Sequence, residues 1–453
     1  MVPEKKQKRL FGTNGVRGVV GEDMTPDLVM RIGMAFASMR SGRIAVGRDT
    51  RTSGPALASA VKAGILACGS DVVDAGILPI PALQYIIKQS FAGGAMITAS
   101  HNPPQYNGVK VIEPDGTEMG DEETIQLEDR LFAGAFATKT WEGVGREEQN
   151  VHLIQEYINA VAGKFPADIG TGMTVVVDPG SGPTALTTPE ILTRLGCRVF
   201  TINAHMDGRF PGRLPEPSPE GLEGLARMVV ETNAAFGVAH DGDGDRAVFI
   251  DENGAYLEEN AEFALMQRSI CRKNSGIVVT PVSTSQLAET VASETGCRLV
   301  YTPVGSIYVA RTMLALQEAG ENVVFGGEGN GGLIFPEHQF CRDGGMTAAA
   351  MVALLAEEKA PLSALAGSLP ARHMIKKKIH SDRPGTLIGR AAARFTGEAL
   401  DFTDGIRINR ATSWALLRPS GTEPFMRLYV EGGTEGRARA FYEEIMDCLE
   451  LEP

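Results

Sequence analysis

The sequence predicts an α/β protein built as three related α/β mixed-sheet domains plus a smaller C-terminal α+β domain. Two observations carry that reading: a strand–loop–helix–strand unit recurs three times at long spacing, and the last stretch of chain drops the unit for another order of elements. The length of 453 residues agrees. It is too long for one core, and at about 150 residues per domain it implies about three.

The first copy is RIAVGRDTRTSG, an apolar run and polar loop, followed by the helical PALASAVKAGILACG and the strand-like DVVDAG. MTVVVDPGSGPTALTTPEILTRLGCRVFTINA is the second, and SGIVVTPVSTSQLAETVASETGCRLVYTPVG the third. A short β-branched run feeding a 3.6-period helix and then another apolar run is a βαβ signature, which implies parallel strands. Copies some hundred residues apart mean separate domains, since a solenoid repeats at far shorter spacing. From about Arg372 the order changes to HMIKKKIHSD, the helical IGRAAARFTG, DGIRINRATSWALLRPS, FMRLYVEGG and a closing helix. Strands there are expected to alternate with helices in an α+β domain, with Lys376–Lys378 on a solvated strand face. The expected domains are residues 1–150, 151–253, 254–368 and 369–453.

A net charge of −13 argues against nucleic acid or an anionic membrane as partner, because both need a basic footprint. Cys68, Cys197, Cys271, Cys297, Cys341 and Cys448 show no paired spacing, so free thiols in a reducing compartment are expected. No apolar stretch approaches ~18 residues and the N-terminus lacks a signal-peptide core, so a soluble, cytoplasmic protein is expected.

Chemistry concentrates in three places. FGVAHDGDGDRAVFIDENG sets Asp241, Asp243 and Asp245 at alternate positions with glycines between, so three carboxylates can converge on one hard cation. A calcium EF-hand loop is the rival: Glu252 falls at its twelfth position, but Arg246 stands where it needs glycine, and the flanks read as strands. Mg²⁺ is favoured, because three protein ligands leave room for phosphate oxygens. In GGAMITASHNPPQYNGVK an apolar strand runs into Ser100, and Pro103 and Pro104 forbid its continuation. Ser100 is therefore expected at a rigid strand-end turn, with His101 beside it and the cationic Lys110 nearby. This frame lacks the glycines of a hydrolase elbow and suits a serine that carries phosphate. LLRPSGTEPFMRLYVEGG surrounds Ser420, Gly421 and Thr422 with Arg418 and Arg427, a set of hydroxyls, backbone N–H groups and guanidinium forks matched to a phosphate dianion. Weaker signals are Arg17 in FGTNGVRG, Arg48, Asp49 and Arg51 in VGRDTR, and Glu328 with Asn330 in the glycine-rich GGEGNGG.

Together these segments resemble the α-D-phosphohexomutase superfamily over essentially the whole chain. TASHNPPQYNGVK resembles that family's phosphoserine loop, DGDGDR its metal-binding loop, GGEGNGG its sugar-binding loop and RPSGTEPFMR its phosphate-binding loop. Four motifs in the family's order, one to each domain, are far more specific than any one of them. The resemblance implies four domains around one central cleft, with phosphorylated Ser100 completing a Mg²⁺ site of Asp241, Asp243 and Asp245. It assigns Arg246 to the transferring phosphoryl and Lys110 to proton transfer, with Arg17 and His101 nearby. Glu328 and Asn330 would meet sugar hydroxyls, and Arg418, Ser420, Gly421, Thr422 and Arg427 the phosphate that stays.

The implied activity interconverts hexose 6-phosphate and hexose 1-phosphate through a hexose 1,6-bisphosphate, which also acts as activator; a monomer or homodimer is expected. Many members read Glu-x-Ser-Gly-His in the sugar loop, where Asn330 and Gly332 replace Ser and His here. FGTNGVRG and VGSIYV lean toward the branch acting on glucosamine phosphate, with the mannose- and glucose-phosphate branch as the alternative. A phosphatase and a non-catalytic sugar-phosphate sensor are the rival functions.

Overall fold

A computed structural model describes residues 8–381, 383–419 and 425–450. These form two compact units, one of residues 1–257 with 331–363 and the other of residues 258–330 with 364–453.

In the first unit, a six-stranded mixed sheet runs in spatial order Val16–Val19, Tyr106–Ile112, Gly94–Ile97, Arg43–Arg48, Asp71–Ile77, Glu147–Gln149. The βαβ reading holds: Arg43–Arg48 pairs parallel with both Asp71–Ile77 and Gly94–Ile97. Its inner residues are buried, as an interior parallel strand requires. Tyr106–Ile112 then turns back antiparallel along Gly94–Ile97. Helix Pro26–Met39 starts where Thr25 accepts the Leu28 N–H and Pro26 supplies a preset φ. It packs on helix Gly54–Ala67, with Ile32, Phe36 and Val61 joining Val46, Ile97 and Val109 in one apolar core.

The second sheet of this unit runs Tyr256–Leu257, Ala247–Asp251, Phe236–His240, Thr174–Asp178, Arg198–Thr201. Phe236–His240 and Ala247–Asp251 form an antiparallel pair. That flank excludes the helix–loop–helix of an EF-hand. Glu252 is committed elsewhere, accepting from both the backbone N–H and the hydroxyl of Ser363.

In the second unit, Ile277–Pro281 pairs parallel with Arg298–Thr302, the third βαβ copy, and on its other side with Val323–Glu328. Its other sheet is antiparallel throughout, in the order His373–His380, Phe425–Gly432, Ser413–Pro419, Ile406–Arg410, Ala399–Asp401. Here the expected alternation of strands and helices fails in the middle. Among the described residues, four strands follow one another from Ala399 to Gly432 between helices Pro384–Arg394 and Glu435–Leu449. Short connections such as Asp401–Ile406, with Gly405 at φ 74°, allow hairpins that the apolar pattern alone does not distinguish. Lys376–Lys378 are exposed on their strand, as expected. Among the described residues no helix is long and apolar enough to cross a membrane.

Helix Glu259–Lys273 carries a local conflict. Glu262 is fully buried and both carboxylate oxygens lack a hydrogen-bond partner. Burial, then Glu259 and Glu258, push its carboxyl well above the usual range. A carboxyl raised in the folded state is fully accommodated below its unfolded pKa, and its stability contribution is lost as pH rises toward the folded value. Glu262→Gln is therefore expected to match the wild type at pH 4 and to unfold at a higher temperature at pH 8. The gap should widen by at most about 1.4 kcal/mol per pH unit. Thermal melts at both pH values check this.

Candidate active site

Strand ends gather the reactive residues of the first unit. Arg48 and Ile97 are register partners at the carboxyl ends of parallel strands, so the loops after them emerge side by side, where open α/β sheets place ligands. Asp241, Asp243 and Asp245 lie in the turn between Phe236–His240 and Ala247–Asp251, all buried. One carboxylate oxygen from each lies within 4.8 Å of the others. Gly244, at φ 77°, allows the turn to curl, so that Asp241 Oδ1 accepts the N–H groups of Gly244 (3.1 Å) and Arg246 (3.2 Å).

Ser100 sits at φ 50°, in the left-handed region, and its hydroxyl donates to Asp241 Oδ2 at 2.9 Å. Three features hold this strained turn. Thr98 Oγ1 accepts the Ser100 N–H at 2.9 Å while donating to Asp49 Oδ2 at 2.7 Å. Arg51, fully buried, donates to the carbonyls of Ser100, Asn102, Pro103 and Tyr106 at 2.6–2.9 Å and to Asp49 Oδ2 through Nε. Its planar guanidinium thereby ties four carbonyls of the loop to one buried side chain. Gly242 backs directly on the loop: a Cβ there would lie 2.4 Å from the Ser100 carbonyl oxygen. Gly242→Ala is expected to part the two loops and lower kcat by about 100-fold, the cost of roughly an ångström of misplacement. The overpacking should destabilise by about 1–3 kcal/mol. Steady-state kinetics run beside a thermal melt check both.

Charges balance around the carboxylates. Lys110 Nζ lies 3.0 Å from Asp243, 3.5 Å from Asp245 and 3.5 Å from Glu118. Burial alone lowers the Lys110 pKa, but Asp243, Glu118 and Asp245 outweigh it and hold an ammonium above the usual lysine range. Arg342 donates to Asp245 Oδ2 at 2.5 Å. Burial alone raises the Asp245 carboxyl, and Arg342, Lys110 and Arg246 outweigh it, leaving it below the usual range. Burial, with Asp245 and Asp243, pushes Asp241 up. Asp243 Oδ1 and Asp245 Oδ1 are buried and accept no hydrogen bond among the described residues. Orphaned anionic oxygens at this spacing fit a hard divalent cation, so the residues present suit Mg²⁺.

Arg246 donates through Nη2 to His101 Nδ1 (2.6 Å) and through Nη1 to Glu216 (3.0 Å). Burial, then Arg246 and Arg17, push His101 down to about 2, so the imidazole is neutral. Because Nδ1 accepts, its proton is on Nε2. Arg17, on strand Val16–Val19, donates to Asn102 Oδ1 at 2.9 Å.

The remaining sequence-predicted residues belong to the second unit. Glu328 ends strand Val323–Glu328, buried, and its carbonyl accepts the Asn330 N–H. Arg418 and Arg427 are direct partners on neighbouring antiparallel strands and so share a sheet face. Arg418 is paired with Asp404 at 2.7 Å. Ser420, Gly421 and Thr422 lie outside the described residues. Sequence reasoning missed Thr98, Glu118, Glu216 and Arg342. A charged residue directly before the helix-capping Asp343 in CRDGG was the one available cue to Arg342.

Four family models match in sequence, described as phosphoglucomutase/phosphomannomutase α/β/α domains I, II and III, over residues 8–138, 155–254 and 258–373, and the C-terminal domain, over 355–448. The chain is 41% identical to a phosphoglucomutase/phosphomannomutase of Thermococcus kodakarensis over 98% of each. It is 36% identical to a phosphoglucosamine/phosphogalactosamine mutase of Sulfurisphaera tokodaii, covering 98% of this chain and 99% of the relative. A solved phosphoglucomutase/phosphomannomutase family protein from Burkholderia thailandensis superposes with a TM-score of 0.86 at 26% identity, covering 97% of both chains.

Proposed function

The chain belongs to the phosphoglucomutase/phosphomannomutase family and is a phosphohexomutase, and from that premise we propose that it moves its phosphoryl group by way of Ser100. The observation that carries the reading is the Ser100 hydroxyl bonded to Asp241 inside the carboxylate triad, with Lys110 and Arg246 paired to the same carboxylates. In the proposed step the P–O bond to Ser100 Oγ breaks as a P–O bond forms to O1 or O6 of a hexose monophosphate. The sugar hydroxyl's proton ends on Ser100, leaving a hexose 1,6-bisphosphate. That bisphosphate turns over and returns its other phosphoryl to the serine.

Such transfers run through a loose transition state, so positioning and charge dominate. A Mg²⁺ ion held by Asp241, Asp243 and Asp245 would supply Lewis-acid stabilisation of the phosphoryl oxygens. Arg246 is suited to the phosphoryl oxygens by its fork geometry, and His101 to donating through Nε2–H. Lys110, held as an ammonium, is suited to protonating the departing oxygen and recovering the proton from the attacking one. Glu328 and Asn330 are proposed for the sugar hydroxyls. Arg418, Ser420, Gly421, Thr422 and Arg427 are proposed for the phosphate that stays, and the four domains are proposed to divide near residues 150, 253 and 368.

For the sugar we favour glucosamine 6-phosphate, supported by FGTNGVRG, VGSIYV and the name of the Sulfurisphaera relative. Mannose or glucose phosphate is the second reading, supported by the name of the Thermococcus relative. The test is phosphorus NMR with Mg²⁺, a trace of hexose 1,6-bisphosphate and each 6-phosphate in turn. Fastest conversion of glucosamine 6-phosphate is expected. A faster mannose or glucose substrate would move the assignment to the second reading, and no conversion at all would leave a sugar-phosphate sensor.

A further inference from the structure

Glu216 stands in the segment Arg213-Leu214-Pro215-Glu216-Pro217, in which Arg213 and Pro215 are anchored at the carboxylate turn. Arg213 is buried, paired with Asp178 at 3.0 Å, and donates to the carbonyl of His240, the residue before Asp241, at 2.7 Å. Pro215 lies against Gly242: a Cβ on that glycine would be 3.0 Å from the Pro215 Cβ. Prolines on both sides remove chain freedom, the second one disfavouring helical backbone at Glu216. This preorganised segment delivers a side chain that is 45% exposed, accepts from Arg246 at 3.0 Å, and stands 3.7 Å from His101. A half-exposed ion pair adds little to stability. So much anchoring for so little stability points to the charge itself.

We infer that Glu216 and the phosphoryl group on Ser100 are alternative anionic partners of Arg246, with Glu216 a positioning residue that takes the guanidinium when the phosphoryl leaves the serine; this rests on the function proposed above. Arg246 Nε lies 3.9 Å from both Asp241 and Asp245, carboxylates that stay in place, so the exchange of partners concerns its two Nη groups. Nη1 is given to Glu216 and Nη2 to His101, whose Nδ1 is 3.4 Å from Ser100 Oγ. A phosphoryl on that oxygen would draw the same two donors into a bidentate grip. Without a competing anion at the Nη groups, those donors would follow the phosphoryl to the sugar and hold the bisphosphate too tightly. A carboxylate at fixed distance offers the guanidinium a second partner and so levels the serine-bound and sugar-bound states. Equal levels on either side of a reversible transfer favour turnover.

The test uses the full chain with Mg²⁺ and glucose 1,6-bisphosphate as probe. In a Ser100→Ala background, which removes transfer, Glu216→Gln is expected to tighten bisphosphate binding about three- to fivefold, the scale of a half-exposed ion pair. With Ser100 intact, Glu216→Gln should lower kcat and KM together, and Glu216→Asp should restore part of both. Unchanged or weaker bisphosphate binding at an unchanged melting temperature overturns the inference. So does a loss of kcat with KM unchanged. If Ser100→Ala alone keeps full mutase activity, the underlying function fails instead, and that result is read before any Glu216 variant is made.

Discussion

Ser100→Ala is expected to bring mutase turnover to background, a loss on the order of 10⁴-fold or more, as removal of a covalent carrier does. The fold should survive. Ser100 is buried, and its side chain contributes one hydroxyl bond to Asp241, with a further 3.4 Å approach to His101. The turn that presents it is held by Arg51 and Thr98 acting on backbone atoms, and alanine keeps those atoms. One lost hydrogen bond is worth about 1 kcal/mol, so the melting temperature should move by a few degrees at most. Steady-state assays with each hexose 6-phosphate, beside a melt of the same preparation, separate loss of chemistry from loss of fold. A variant that keeps even a few per cent of turnover would place the carrier elsewhere.

Asp243→Asn is expected to cost about 10³-fold in kcat, the scale of one strong electrostatic stabiliser, and to uncouple stability from Mg²⁺. Asp243 serves two charges at once. Its Oδ2 pairs with Lys110 at 3.0 Å and its Oδ1 is one of the unpartnered oxygens of the triad. The amide keeps the shape and loses the charge. In the wild type, Mg²⁺ at a hundred times its Kd should stabilise by about 2.7 kcal/mol, and chelation should reverse this along with activity. In the variant the metal-dependent rise in melting temperature should be absent or demand far more Mg²⁺. An equal Mg²⁺ shift in both proteins would remove Asp243 from the metal set.

What the sequence revealed follows from how local each signal was. The βαβ units were legible because strand, loop and helix sit within some thirty residues and the apolar period changes between them. DGDGDR was legible because three carboxylates so close together need a cation whatever the fold. The turn at Ser100 was legible from its two prolines. By contrast, Arg51 reaches carbonyls some fifty residues away, Arg342 meets an aspartate 97 positions earlier, and Glu216 meets an arginine 30 positions later. No periodicity marks such meetings, because each depends on which loops the topology brings to the same strand ends. The segment DGIRINRATSWALLRPS stands undivided in the sequence, and it is two strands, Ile406–Arg410 and Ser413–Pro419. Strand Ser413–Pro419 is buried along most of its length, so no apolar alternation marks where one strand ends and the next begins.

The most direct test of the central claim follows one phosphoryl group. The protein is phosphorylated with hexose 1,6-bisphosphate carrying a radioactive phosphoryl, freed of small molecules, and mixed with unlabelled hexose 6-phosphate and Mg²⁺. The label should begin on Ser100, identified by peptide mapping, and pass to the sugar within one turnover. Label released as inorganic phosphate at the turnover rate would make the protein a phosphatase, and label on any other residue would contradict Ser100 as the carrier.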